Sequence, residues 1–252
     1  MKSKRINVID TGRGLMMLLV MWFHLSYDLY YIYGMGALYM QEHWVYVFRD
    51  CFVGVLILIS GISCNLTRSN LKRGLKTFLI GMAITVGTGI FMPTEFIVFG
   101  ILHFFGASMM IYALVEKALP ENRNKTLSVI GIILSILLFA ITYYYVFIVR
   151  VSAPEGSTLT KVPLDYLFYV LGIRTGVQSA DYYPIIPWIF LFFTGAFMGR
   201  GLKEDKEILP EFMYKDYCPP VSFIGRHTLI IYLVHQPVFM GILWLITKVK
   251  GA

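Results

Sequence analysis

Charge is scarce in this chain. Of its 252 residues only 15% are Asp, Glu, Lys or Arg, and 57% are hydrophobic. A soluble domain carries nearer a quarter charged residues, so too few remain here to clothe a globular surface. With a mean hydropathy of +0.67, this excludes an ordinary soluble enzyme and a disordered chain. Cysteine is scarce too. Cys51, Cys64 and Cys218 form no CxxC and no zinc spacing, which excludes a disulfide scaffold and leaves three free thiols as the simplest expectation. There is no internal repeat, no low-complexity tract, no P-loop and no GxGxxG. An inverted-repeat transporter and a nucleotide-binding fold are therefore disfavoured. What remains is an integral membrane protein.

Long apolar runs are what the sequence does have. A spanning helix needs roughly 20 mostly apolar residues. Seven segments qualify: 14–33, 45–66, 75–91, 96–115, 127–149, 184–199 and 228–247. The stretch 164–173 is too short to cross and suits a re-entrant or interfacial helix. The apolar run from Leu15 has no small-residue cleavage site after it, so it is expected to be a retained helix rather than a signal peptide. Pro184 and Pro187 fall in a first helical turn, where proline is tolerated. Pro237 lies inside the last span and predicts a kink. The expectation is an all-α, polytopic integral membrane helical bundle of about seven transmembrane helices plus one short helix, in a single domain, 1–252.

The net charge of +7 is mostly sidedness. With the N-terminus inside, sixteen of the 22 lysines and arginines fall on that side and six outside. The positive-inside rule then supports an inner N-terminus. Attraction to anionic membrane lipid accounts for the basic face, and nucleic acid is not an expected partner. Two connections are long: an outer segment, 150–183, and a charged inner loop, 201–225.

Ionisable residues at membrane depth are costly and are functional candidates by default. His24 lies about 15 Å into the first span, and Asp28 follows at i+4 on the same face. A carboxylate one turn away can fix an imidazole's tautomer and raise its basicity, as a general base requires. His103 and His235 lie about 10 Å from the boundaries of their spans. Arg49, Asp50 and Asp181 mark the outer ends of spans and, on depth alone, could converge with His24, Asp28 and His103. Structural roles compete at each position. The histidines can be packing groups, with His235 in a His-Gln-Pro sequence satisfying freed carbonyls. Arg49–Asp50 can be an interfacial ion pair, and Asp181 a helix cap. On the inner side Asp10, Arg13, Arg73 and Arg226 are candidates for an anion site, because guanidinium groups suit phosphates. Each arginine taken singly is equally a topology anchor.

The motifs occur in a recognisable order. Arg5-Ile-Asn-Val-Ile-Asp10-Thr-Gly-Arg13-Gly leads into a helix with Phe23-His24 and Asp28. Phe52-Val-Gly-Val-Leu-Ile-Leu-Ile-Ser-Gly61 and Phe99-Gly100-Ile-Leu-His103 follow. Then come Asp181-Tyr-Tyr-Pro184-Ile-Ile-Pro187-Trp188 and Gly225-Arg226-His227, and finally Tyr232-Leu-Val-His235-Gln236-Pro237. Together they resemble the bacterial branch of the heparan-α-glucosaminide N-acetyltransferase catalytic-domain family. The resemblance implies transfer of an acetyl group from cytoplasmic acyl-CoA (acetyl-CoA as donor) to an amine or hydroxyl, a sugar-like acceptor, on the far side of a bacterial cytoplasmic membrane. No metal is implied. In longer members a histidine of the outer loop between the first two spans is central. His43, beside Trp44, is the histidine of that loop here and stands second to His24–Asp28.

The expected roles follow. His24 deprotonates the acceptor and Asp28 orients it. His103 polarises the thioester carbonyl or holds the acceptor. Arg49, Asp50 and Asp181 contact the acceptor, and Arg13, Arg226, Asp10 and Arg73 anchor acyl-CoA. Two other functions use the same residues, a proton-coupled transporter with a His/Asp relay and a non-catalytic membrane scaffold. The acceptor's identity and the oligomeric state, a homodimer included, stay open.

Overall fold

The computed structural model describes residues 5–120, 125–152, 163–172, 179, 181–202 and 209–250. Among these residues there is no strand, and nine α-helices account for most of the chain. They are α1 (Asn7–Tyr27), α2 (His43–Cys64), α3 (Asn70–Phe91), α4 (Ile101–Ala118), α5 (Lys125–Ser152), α6 (Pro163–Leu171), α7 (Ile185–Gly199), α8 (Pro219–Arg226) and α9 (Thr228–Lys250). Six of them are long and apolar enough to cross a membrane: α1 with the turn that extends it, α2, α3, α4, α5 and α9. The sixth expected span forms α7, which is apolar but only 15 residues long, about 22 Å at 1.5 Å per residue. The short stretch at 164–173 becomes α6, nine residues followed by Gly172, whose φ of +85° favours a residue without a Cβ. The remainder of the long outer segment 150–183, with Lys161 and Arg174, and the start of the inner loop lie largely outside the described residues.

The outward surface of these helices is apolar. α5 exposes Val129, Ile133, Leu137 and Ile141, and α9 exposes Ile230, Val234, Ile242 and Leu245. Such continuous apolar faces suit lipid rather than water. The protein is an all-α, polytopic membrane protein.

The chain divides into two compact units, Met1–Ile59 with Lys206–Ala252, and Ser60–Asp205. In the first, α1 lies directly against α8. A Cβ on Gly14 would overlap the Val221 carbonyl, and one on Gly225 the Asp10 carbonyl. Small residues let the two backbones touch, a common device between membrane helices. Thr11 and Ser222 hydroxyls meet at 2.7 Å across the same seam. Pro219 and Pro220 start α8, where their missing N–H groups cost nothing.

In the second unit α3 and α4 pack closely through Gly74, Gly81 and Gly106. Ser69 caps α3 by accepting from the Lys72 amide at 3.3 Å. α5 packs on α7, with Gly131 under the Phe197 ring. A buried polar network ties the end of α2 to its neighbours. Asn65 donates to the Ala196 carbonyl at 2.8 Å and accepts from the Tyr112 hydroxyl at 3.1 Å.

Candidate active site

Within the first unit α1 brings His24 and Asp28 to one face, four residues apart. The helix changes its bonding pattern there: Asp28 opens a single π-type turn, Asp28–Ile32, and its carbonyl accepts from the Tyr33 amide at 3.0 Å. Single π turns inside helices recur at functional sites. α9 supplies the partners. The ring of His235 meets that of His24 edge to face, with centroids 5.1 Å apart. One residue on, the Gln236 amide donates to both oxygens of Asp28, at 2.8 and 3.0 Å. The Asp28 side chain is completely buried. A buried carboxylate needs such donors, because desolvation otherwise makes its charge very costly.

The expected bond between His24 and Asp28 is absent among the described residues. The carboxylate faces Gln236 and the imidazole faces His235. Spacing put both groups on one helix face, but only the neighbouring helix decides which of them meets what.

His235 is oriented by its own helix. Its Nδ1 lies 2.6 Å from the Tyr232 carbonyl oxygen. A carbonyl can only accept, so Nδ1 carries the hydrogen, and in the neutral ring Nε2 is left as a lone-pair acceptor. Nε2 is buried and has no partner, and the same holds for Oε1 of Gln236.

The rim of this cluster is aromatic and basic. Arg49 binds Asp50 at 2.7 Å and lies over the rings of Phe23 and Tyr46, 5.6 and 5.4 Å from their centroids. Trp22 stacks on Tyr39, whose hydroxyl meets that of Ser26 at 2.7 Å. His43 opens α2, and its side chain is exposed.

Towards the chain's start, the buried carboxylate of Asp10 receives Arg5 at 2.5 Å and Arg13 at 3.6 Å. Arg13 also donates to the Gly225 carbonyl at 3.3 Å. Arg226 lies 3.5 Å from Asp216, which in turn accepts from Ser222 at 2.6 Å. These groups pin α8 to α1.

The second unit holds the remaining candidates. His103 is buried in the first turn of α4, and both of its ring nitrogens are engaged. Nδ1 accepts from the Gly100 amide at 3.2 Å, so Nε2 carries the hydrogen and donates to the Thr85 hydroxyl at 3.3 Å. Asp181 accepts from the Ile101 amide at 3.1 Å and so caps the same helix from 80 residues away. Arg73 lies in the first turn of α3.

A family model described as heparan-alpha-glucosaminide N-acetyltransferase, catalytic, matches residues 5–237. The chain belongs to this family. The match runs through the Asp10–Arg13 segment, His24 and Asp28, and ends at Pro237, so it takes in the His235–Gln236 pair. No curated protein and no solved structure matches the chain. Membership in an N-acetyltransferase family implies an acyl donor and an acceptor, and the six long apolar helices place that chemistry in a membrane protein.

Among the candidate residues of this acetyltransferase family member, the structure thus joins His24 and Asp28 to α9 and pairs Arg49 with Asp50. In the sequence His235 is equally a packing group that satisfies freed carbonyls, and Gln236 carries no signal of its own beyond the His-Gln-Pro sequence. Their importance comes from what they face.

Proposed function

We propose that this protein is an acetyl-CoA-dependent acetyltransferase of a bacterial cytoplasmic membrane. It moves an acetyl group to the amine or hydroxyl of a sugar-like acceptor on the outer side. The observation that carries the reading is the cluster of buried Asp28 and His235 with half-buried His24 and Gln236 in a chain of an N-acetyltransferase family. Buried ionisable groups inside membrane helices are maintained at a cost and are functional by default.

Acyl transfer needs a group that takes the acceptor's proton as its nitrogen or oxygen attacks the thioester carbon. The paired imidazoles of His24 and His235 supply it, with Asp28 holding the helix geometry through Gln236. Arg49 and Asp50 at the rim suit the polar groups of a sugar. Asp181 and His103 we assign to holding the start of α4.

On the inner side, Arg13 and Arg226, with Asp10 setting the position of Arg13, would receive the phosphates of acyl-CoA. Arg73, in the second unit, is a separate basic candidate for an acyl-CoA phosphate. The Arg13–Asp10 and Arg226–Asp216 pairs, at 3.6 and 3.5 Å, are longer than the roughly 2.7–2.9 Å of a tight charge-assisted bond. A phosphate therefore competes with the carboxylates for these guanidinium groups.

The test is transfer from labelled acetyl-CoA to glucosamine by the purified protein in detergent. Binding of acetyl-CoA is measured in parallel for wild type and Arg226→Gln. Labelled N-acetyl product, and binding weakened by the substitution, support the reading. Uptake or efflux of solute in liposomes without acetyl-CoA, and no acetyl product, would replace it with a carrier.

A further inference from the structure

We propose that His235, through Nε2, is the atom that accepts the proton from the acceptor substrate, and that Gln236 Oε1 binds a second hydrogen of the same molecule. The inference rests on the acetyltransferase reading above and names the site of the acceptor's reacting group.

Two buried side-chain atoms on consecutive residues of α9 have no partner, His235 Nε2 and Gln236 Oε1. The tautomer of His235 is set by the Tyr232 carbonyl at 2.6 Å, so its Nε2 can only accept. The orientation of Gln236 is set in the same way. Its NH2 group faces the two oxygens of Asp28, which as a carboxylate only accept, so Oε1 points elsewhere as an acceptor. A buried acceptor left unmet loses the hydrogen bond it would have with water and gets nothing in return. Two of them, on consecutive residues that meet one face of α1, mark a place that a hydrogen-bond donor completes.

That polarity discriminates between the two substrates. The thioester carbonyl of acetyl-CoA is itself an acceptor and gains nothing from these atoms. An amine or a hydroxyl brings N–H or O–H bonds and satisfies both. His235 and Gln236 meet His24 and Asp28 on one face of α1, so the donor molecule would lie along that face with the His24 ring beside it.

The step balances without a further reagent. The acceptor's nitrogen or oxygen lone pair forms a bond to the thioester carbon, and the C–S bond breaks. The proton lost by the acceptor passes to His235 Nε2. The Tyr232 carbonyl stabilises the resulting imidazolium through Nδ1–H. The imidazolium then returns the proton to the departing thiolate, giving free CoA thiol and neutral His235.

The decisive variant is His235→Asn. Its side-chain amide can still donate to the Tyr232 carbonyl from the Nδ1 position, but it has no base at the Nε2 position. Acetyl transfer to glucosamine should fall by about 10²–10⁴-fold, the range general base catalysis supplies. Acetyl-CoA binding should be retained, and added imidazole should restore part of the rate. Transfer within a few-fold of wild type would overturn the proposal, as would loss of acetyl-CoA binding in step with the rate. A second measurement does not depend on the variant's folding. Carbethoxylation of the wild-type protein with diethyl pyrocarbonate, read by peptide mass spectrometry, should label His235 in proportion to lost activity, with glucosamine protecting it. Labelled His235 with full activity, or lost activity with His235 unlabelled, would refute it. A wild-type protein that transfers no acetyl group at all would instead refute the acetyltransferase reading.

Discussion

Replacing His103 separates structural from chemical histidines in this protein. Its Nδ1 takes the buried Gly100 amide at 3.2 Å, and its Nε2–H meets Thr85 at 3.3 Å. His103→Leu fills most of the ring's volume, so the cavity contribution is small, but it leaves the Gly100 N–H unpaired in an apolar setting. That costs about 1–3 kcal/mol. Thr85 loses less, because a threonine hydroxyl on a helix can turn to a carbonyl of the preceding turn. The total is about 1–3 kcal/mol, roughly a 5- to 150-fold drop in the ratio of folded to unfolded protein. His103→Asn should lose under about 1 kcal/mol, since its side-chain oxygen stands where Nδ1 stood and accepts the same amide. Unfolding of the purified protein by SDS titration, followed by helix content, reads the stability. Acetyl transfer per folded molecule reads the chemistry and should stay within a few-fold of wild type in both variants. A folded His103→Asn protein that has lost its transfer activity would show that His103 acts on a substrate and that its two bonds are incidental.

Three further outcomes are expected. Gln236→Leu removes two hydrogen bonds to the buried Asp28 carboxylate, so stability in the same titration should fall by about 1–3 kcal/mol, the range for hydrogen bonds to a charged group. The double variant with Asp28→Leu should recover most of that loss. Gly225→Val puts side-chain carbon into the space of the Asp10 carbonyl, so α8 should no longer seat on α1 and folded yield should drop sharply. The nearby exposed Phe223→Ala, as a control, should leave yield unchanged. A maleimide should label the exposed Cys51 in the folded protein, whereas the buried Cys64 should react only after unfolding, since neither thiol is tied up in a disulfide.

The membrane class, the helical content and the family were legible in the sequence, for a physical reason. A spanning segment must be apolar along its whole length, and that property is written residue by residue without reference to partners. Boundaries were less legible. The 96–115 segment begins as a helix only at Ile101, because the Gly100 and Asp181 caps set its start. The 184–199 segment forms a helix of 15 residues, and the composition that marked it as a span says nothing of its length.

The site was legible only in part. Depth and i,i+4 spacing singled out His24 and Asp28, because both follow from the geometry of one helix. They could not show that Asp28 bonds to Gln236, that His24 meets His235, or that His103 and Asp181 are engaged at the start of α4. The Asp28–Gln236 pairing joins residues 208 positions apart, and which side chains meet depends on how each helix is rotated against its neighbour. Composition and local spacing were enough to define a helical membrane protein of an acetyltransferase family with a short set of buried ionisable groups. The packing of α1 against α9, and of α4 against its caps, settles which of those groups are satisfied by their surroundings. At His235 and Gln236 that packing leaves an acceptor atom unmet, and no pattern along the chain could have shown it.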